Sequence, residues 1–393
     1  MELRQRGHEV TLRTLASEVE KMRSLGLDAG PIAPEIEAIR HSDWRARSPI
    51  GANRRSMTSF GARAKLDGLD LRRAIDEENP EALLVDIMSW GALAVAEAWH
   101  GPWASFCPYP LPVPSGDVPP FGPGLPPARG RLGRARDRLA RKAFELAFDR
   151  FFCTQVNRVR TQLGHSPLTH GEELFERPPL LLYMTTEAFD YPRSDWPENV
   201  VMVGPGAWDP PADLPAALEG IKAPFVLVTT SSEFQDDSRL VRVALEALAG
   251  EPFHVVATLP AANVAKMRVP PNATVLSFAP HSAVLARSAC AITHGGMGAT
   301  QKALAHGVPV CAVPFGRDQF EVARRVEVAG GGSRLPAWPA WQLRPNRLRA
   351  KVREAISRRT GAERIAKAFA ELDGPRVAAD AIEQRLLGRE PSA

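Results

Sequence analysis

The sequence predicts an α/β protein of two doubly wound, parallel-sheet units, and three observations predict it. Apolar runs of strand length alternate with segments of helical period along nearly the whole chain, which is the pattern of a parallel sheet crossed by helices. A proline-rich stretch at 204–215, GPGAWDPPADLP, cuts that alternation in two. Late in the second half the run CAIT at 290–293 breaks into HGGMG at 294–298, and a helix-period segment starts at once. With 393 residues, 44% of them hydrophobic, the chain has material for two cores.

In the first half, RGHEVTLRT (6–14) reads as the end of a helix capped by Gly7, then a strand with Val10 and Leu12 on one side. Strands follow at 82–87 (ALLVDI), 103–107, 180–184 and 200–203. Between 108 and 127 the chain is crowded with prolines and glycines, which no regular element tolerates. A loop this long in a compact unit is usually functional, and it follows a strand C-terminus, where such sheets bind ligands. The next segment reads as a basic helix running to about Phe152, with Leu139, Phe144, Leu146 and Phe148 for a buried side.

The second half alternates more crisply, with strands expected at 225–229, 254–258, 274–277, 289–293 and 308–313. The helix after Ser231 carries Leu240, Val243, Ala244, Ala247 and Leu248 at helical spacing. A helical region at 348–387, broken at Gly374-Pro375, closes the chain. The expected division is a first unit at 1–203, a linker at 204–215, a second unit at 216–373, and a last helix at 374–393 that crosses back onto the first.

Charge and cysteine content narrow the function classes. The balance of 49 basic against 45 acidic residues leaves +4, too mild to argue for nucleic acid. The excess is local: RGRLGRARDRLARK at 129–142 holds seven basic residues and one Asp. It reads as a solvated helix face, while the apolar backing of Leu132 and Leu139 leaves a membrane-surface or acidic-acceptor contact open. Cys107, Cys153, Cys290 and Cys311 match no zinc or CxxC spacing and read as reduced, the last two as strand-core residues, and no metal site is expected. No apolar run approaches the ~18 residues of a membrane span, and MELRQRGHEV is not a signal peptide. The expectation is a cytoplasmic protein without stable membrane insertion; a homodimer is left open.

The HGGMG turn has the chemistry of a phosphate cradle. Glycines let the backbone pass close to an anion, and the N–H groups and positive dipole end of the new helix point at it. His294 at the strand tip adds a donor. Taken alone, such a turn is only a tight turn.

Its surroundings, VTTSSEF (228–234), FAPH (278–281), HGGMGAT (294–300) and DQ (318–319), give the chain a wider likeness. It resembles the nucleotide-sugar-dependent glycosyltransferases of the GT-B fold (family 1 type), and among them the bacterial enzymes that decorate antibiotics and other natural products. The likeness runs over most of the chain and is strongest from 225 to 319. It implies two doubly wound domains facing across a cleft, the C-terminal one binding the nucleotide sugar and the N-terminal one the acceptor. It also implies inverting transfer of a sugar, a deoxysugar among the options, from UDP or dTDP to a hydrophobic acceptor, with no bound cofactor. The resemblance puts Ser231 or Ser232 near the diphosphate, Phe278 at the base-stacking position, and His281 where Gln is common. It assigns His294 to the diphosphate, in a turn made by Gly295, Gly296, Met297, Gly298, Ala299 and Thr300, and Asp318-Gln319 to the sugar hydroxyls. Asp86 matches the acidic residue that orients a catalytic His on the acceptor side, the alternative being a helix N-cap.

Two departures bear on function. Lys302 stands where many relatives have a Glu that accepts from the ribose hydroxyls, and lysine has no acceptor. That points to a dTDP-deoxysugar donor, with a merely solvent- or phosphate-facing Lys302 left open. The chain also begins at the helix that in relatives follows a first strand and a loop bearing the base His, so roughly twenty residues and an interior strand lie outside it. His8, at the helix-to-strand turn, reads as structural. Two rival functions follow: a catalytically silent GT-B homologue that binds a nucleotide sugar or a partner enzyme, and a GT-B sugar-nucleotide epimerase, which needs further carboxylates. A dinucleotide-binding protein ranks last, since Gly295, Gly296 and Gly298 do not follow GxGxxG.

Overall fold

The computed structural model describes the chain apart from residues 47, 210–211, 232–234, 236, 260–266 and 390–393. Its strands are β1 (Thr11–Thr14), β2 (Asp28–Pro31), β3 (Leu83–Asp86), β4 (Trp103–Cys107), β5 (Leu181–Tyr183), β6 (Val200–Met202), β7 (Phe225–Thr229), β8 (His254–Thr258), β9 (Ala273–Leu276), β10 (Ser288–Thr293), β11 (Val310–Ala312) and β12 (Gly332–Arg334). Every pairing among them is parallel.

The second half is one six-stranded sheet in the order β12-β11-β10-β7-β8-β9. Strand order reverses between β7 and β10, and in sheets of this kind a ligand crevice opens at that switch point. The strands are apolar throughout because both faces are covered. Leu227, Val256, Ala291 and Val310 face the helices Met297–Ala305 and Arg359–Ala370, while Val226, Val228, Val255 and Ile292 face Ser238–Leu248 and Pro345–Ile356. Cys290 and Cys311 are buried in the middle of this packing, and all four cysteines are buried thiols.

The first half holds β3-β4-β5-β6 as one sheet and β1-β2 as a separate pair. Among the described residues β1 pairs with β2 alone and β3 with β4 alone, so the two pieces share no strand pairing. The first-half core forms where Trp90, Phe152, Val156 and Val159 pack under β3–β5. Helices Pro49–Glu78 and Trp90–Ala98 cross closely beside it, for a Cβ on Gly91 would lie 1.7 Å from the Ala64 carbonyl oxygen.

One expectation is overturned. The basic helix, Gly130–Gln162, does not bury Leu139, Phe144 and Leu146: they are 73%, 40% and 76% exposed. Its apolar packing begins only at Phe148, stacked on Phe152 at 4.8 Å, and continues through Val156 and Val159. The reason is length. A helix of 33 residues is about 50 Å long, whereas four strands at ~4.8 Å spacing give a far narrower sheet, so the first turns project past the core.

The two halves meet through polar contacts as well as apolar ones. Helix Gly374–Arg385 lays Ala381 and Ile382 against Ala104, Leu180, Leu182 and Val203 of the first half. Arg6 bonds Asp380 at 2.7 Å and Glu383 at 2.6 Å, and the His8 ring lies 2.8 Å from the Glu383 carboxylate. Deeper in, Arg325 of helix Gln319–Val328 donates to Asp190 at 2.6 Å and to Glu321 at 2.9 Å, and all three are buried. Tyr183 donates to the second Asp190 oxygen. The second Glu321 oxygen accepts the N–H groups of Gly122 and Gly124, both at 2.8 Å. The proline-rich loop is thereby fastened to a helix of the other half.

Removing one member of a buried ionic network strands the rest, at a cost of about 3–5 kcal/mol. Glu321→Ala should therefore lower the thermal midpoint by several degrees and open residues 112–127 to limited proteolysis. A melt and a digestion pattern matching the native protein would show that the loop is held by something else.

Candidate functional site

The site is built at the switch point. β10 ends at Thr293, Gly295 turns the chain at φ +86°, and helix Met297–Ala305 starts with no side-chain cap. The first N–H to bond inside the helix is that of Thr300, to the Gly296 carbonyl at 3.0 Å. The donors ahead of it are left for whatever occupies the cleft. Gly298 is exposed and a Cβ there would meet nothing within 4 Å, so the cradle is open above it. At Gly296 a Cβ would fall 2.4 Å from His294 Nε2: the imidazole is tucked under a backbone that only glycine permits.

His294 is 8% exposed, and its Nδ1 is buried without a partner. Burial, reinforced by the positive charge of Arg317 and partly offset by the Thr229 backbone, holds its pKa down to about 4. The ring is neutral near pH 7. Met297 and Thr300 do not face the cleft. Met297 packs into the core, and Thr300, fully buried, turns its hydroxyl to Thr293 at 3.2 Å, while that hydroxyl also accepts from the Gly295 N–H. Both side chains shape the turn from inside. Ala299 lies half-buried on the open side.

A second layer holds the cradle in place. The Ser231 N–H donates to Asp237 at 2.7 Å, Gln235 donates to the same carboxylate at 3.2 Å, and Gln319 donates to Gln235 at 2.8 Å. Gln319 also accepts the Phe315 and Gly316 N–H groups at 2.8 and 3.1 Å. Its amide orders the 315–319 turn, which packs so closely that a Cβ on Gly295 would touch the Gln319 carbonyl at 3.0 Å. Ser232 lies outside the described residues. Asp318, at the start of helix Gln319–Val328, makes no comparable bond; burial pushes its carboxyl up to about 6.

Asp86 closes β3 on the other half. One oxygen accepts the Met88 N–H at 2.8 Å, so it caps the turn, and burial pushes its carboxyl above the ordinary range. The charges of Asp86 and Asp318 both raise the Tyr109 hydroxyl and the Cys107 thiol, after burial itself.

On the outer side, Phe278 is 71% exposed after β9. His281 Nε2 lies 3.2 Å from the Thr258 hydroxyl. Lys302 faces neither bulk solvent nor an empty cradle: it pairs with Asp209, whose other oxygen accepts from the Ser282 N–H and hydroxyl at 3.1 and 2.9 Å. Sequence reasoning missed Asp209, because nothing in GPGAWDPP says that this Asp reaches the Lys302 helix. It also missed Arg317, which adopts φ +54°, a conformation non-glycine residues hold only where surroundings enforce it. Arg317 grips Asp43 of the first half through two bonds, at 2.8 and 3.0 Å. Burial alone would raise the Asp43 carboxyl, but Arg317 outweighs it and holds it below its ordinary value. The adjacency of Arg317 to Asp318-Gln319 was the one signal available. Among the described residues no group of three His, Cys, Asp or Glu side chains could hold a metal ion.

The neutral His294 gives a stability signature. Between about 4 and 6.5 the unfolded chain binds a proton that the folded His294 refuses, so this residue makes the fold less stable as pH falls from 6.5 and adds nothing further below about 4. Asp318 works in the opposite sense and is common to both proteins compared. The melting temperature of His294→Gln should therefore fall less steeply than that of the native protein between pH 6.5 and 4; parallel curves would mean the imidazole is not held neutral.

Comparison with known proteins bears on the family and the fold. Residues 242–383 match the family described as Erythromycin biosynthesis protein CIII-like, C-terminal domain. The chain is 32% identical over 323 residues, 80% of its length and 76% of the relative's, to 4'-demethylrebeccamycin synthase of Lentzea aerocolonigenes. The solved structure of CalG4, the calicheamicin glycosyltransferase, superposes with a TM-score of 0.70 over 99% of this chain and 93% of that one, at 23% identity. The spinosyn rhamnosyltransferase SpnG, solved with thymidine diphosphate, gives 0.67 over 98% and 93%, at 17% identity.

Proposed function

The chain belongs to the GT-B glycosyltransferases of natural-product biosynthesis, and from that premise we propose that it transfers a sugar, with inversion, from a dTDP-deoxysugar to a hydrophobic acceptor. The observation that carries the reading is the uncapped helix end at Gly296–Gly298 with a neutral, partnerless His294 nitrogen beneath it. Such a site suits a diphosphate leaving group. The acceptor oxygen attacks the anomeric carbon, the bond from that carbon to the phosphate oxygen breaks, and the electron pair leaves with the diphosphate. Fixed N–H dipoles and the His294 N–H would stabilise that growing charge without reorganising.

Arg317 is the cation of this neighbourhood, and we assign it to the diphosphate charge, with Asp43 as the group that aims it. Asp318 is assigned to the sugar hydroxyls. Gln319 serves the same subsite by ordering the turn, with one amide hydrogen left to offer. Asp86 is assigned to the acceptor side, where its second oxygen receives the acceptor proton directly or through a partner; a raised pKa makes it the stronger base. Phe278 takes the nucleobase face. The donor reading rests on Lys302, which stands where relatives carry the ribose-binding Glu and pairs with Asp209, itself held by Ser282, so that no carboxylate is offered to a ribose diol from this helix position.

Product analysis with dTDP- and UDP-sugars and apolar aglycones tests the reading, with dTDP expected to compete better than UDP. His294→Ala should lower turnover about 10²–10³-fold with little change in acceptor KM; turnover near that of the native protein would remove the assignment. Nucleotide binding without any product would favour the silent-homologue reading. Arg317→Gln should weaken dTDP binding at least tenfold, whereas Asp43→Asn should leave most of it, and equal losses would make the pair only a strut between the halves.

A further inference from the structure

The start of helix Gly130–Gln162 carries a surface that the transfer reaction does not use. Leu132, Leu139 and Leu146 recur every seventh residue and are 88%, 73% and 76% exposed. A seven-residue spacing is close to two helical turns, so the three side chains form one stripe. Along one edge of it run Arg131, Arg134, Arg138 and Lys142, all exposed. Acids there are few: Asp137 is buried against Arg136 at 2.8 Å, and the half-buried Glu145 is one carboxylate beside four cations.

This composition selects among occupants. A second copy laid antiparallel would set basic edge on basic edge, and a parallel one would find no acidic edge to pair with. An apolar stripe flanked by cations on a helix lying along the surface suits an interface that is apolar below and negatively charged above. The helix is also tied to the loop through which an acceptor would enter. Arg136 donates to the Pro126 carbonyl at 2.6 Å, and Arg141 donates to the carbonyls of Ser115 and, at 3.2 Å, Val118.

We propose that the exposed leucine-and-arginine face of this helix docks the protein on an anionic lipid bilayer, holding residues 108–127 at the membrane surface, where an apolar acceptor partitions. The surface is independent of the donor site, and its test needs no sugar.

Cosedimentation of the full chain with large unilamellar vesicles tests it, using phosphatidylcholine alone and phosphatidylcholine with about one phosphatidylglycerol in three lipids. Binding is expected to the anionic vesicles, at least tenfold weaker to the neutral ones, and to decline as salt rises. The triple variant Leu132→Ser, Leu139→Ser, Leu146→Ser and the quadruple variant Arg131→Gln, Arg134→Gln, Arg138→Gln, Lys142→Gln should each lose at least tenfold in binding. Their melting temperatures should move little, because these side chains are largely exposed. Absence of binding, equal binding to both vesicles, or variants that bind like the native protein would overturn the proposal. So would a dimer in light scattering that the leucine variant converts to monomer.

Discussion

The buried pairing of Arg325 with Glu321 and Asp190 is the constraint on which the arrangement of the cleft depends. Buried charges are tolerated only when each is matched and its remaining hydrogen-bond capacity is filled. Here the matching groups come from both halves: Asp190 from the segment after β5, Gly122 and Gly124 from the proline-rich loop, Glu321 and Arg325 from one helix of the second half. The halves cannot separate at this point without exposing or stranding a charge. The loop gains a fixed conformation it could not hold from its own prolines.

That helix begins at Asp318 and Gln319, so the same element that anchors the proline-rich loop also carries the polar pair beside the glycine turn. Arg317 adds a second tie, to Asp43, one residue earlier. The proline-rich loop and the 315–319 turn are therefore linked through about one turn and a half of helix. Ordered contacts of this kind position reacting groups before chemistry begins. The switch point supplies the rest, since the reversal of strand order between β7 and β10 leaves room for a ligand over helix ends that have no cap of their own.

Some of the site was legible because its chemistry is local. The turn from Thr293 to Gly298 is written in consecutive residues: a strand of apolar side chains, glycines where no Cβ fits, and a helix-forming run. Phe278 and Asp318-Gln319 sit in short segments of the same sort. Other parts were misread for want of a third dimension. Leu139 and Leu146 have the spacing of a buried stripe, and periodicity cannot tell a stripe facing a core from one that overhangs it. Thr300 has a hydroxyl in the right place along the chain, yet its rotamer turns it inward to Thr293. Lys302 could not be assigned a partner, because Asp209 is distant in sequence.

The sequence by itself determined the alternation of strands and helices, the position of the glycine turn between strand and helix at 293–298, and the likeness of 225–319 to nucleotide-sugar enzymes. Backbone conformations and hydrophobic periods are set by neighbours a few residues apart, so a linear reading suffices. Only the tertiary structure decided which polar groups meet. Arg317 with Asp43, Lys302 with Asp209, and Glu321 with the Gly122 and Gly124 amides join residues far apart in the chain. Charge pairing depends on distance and burial, and neither can be read until the halves are packed against each other.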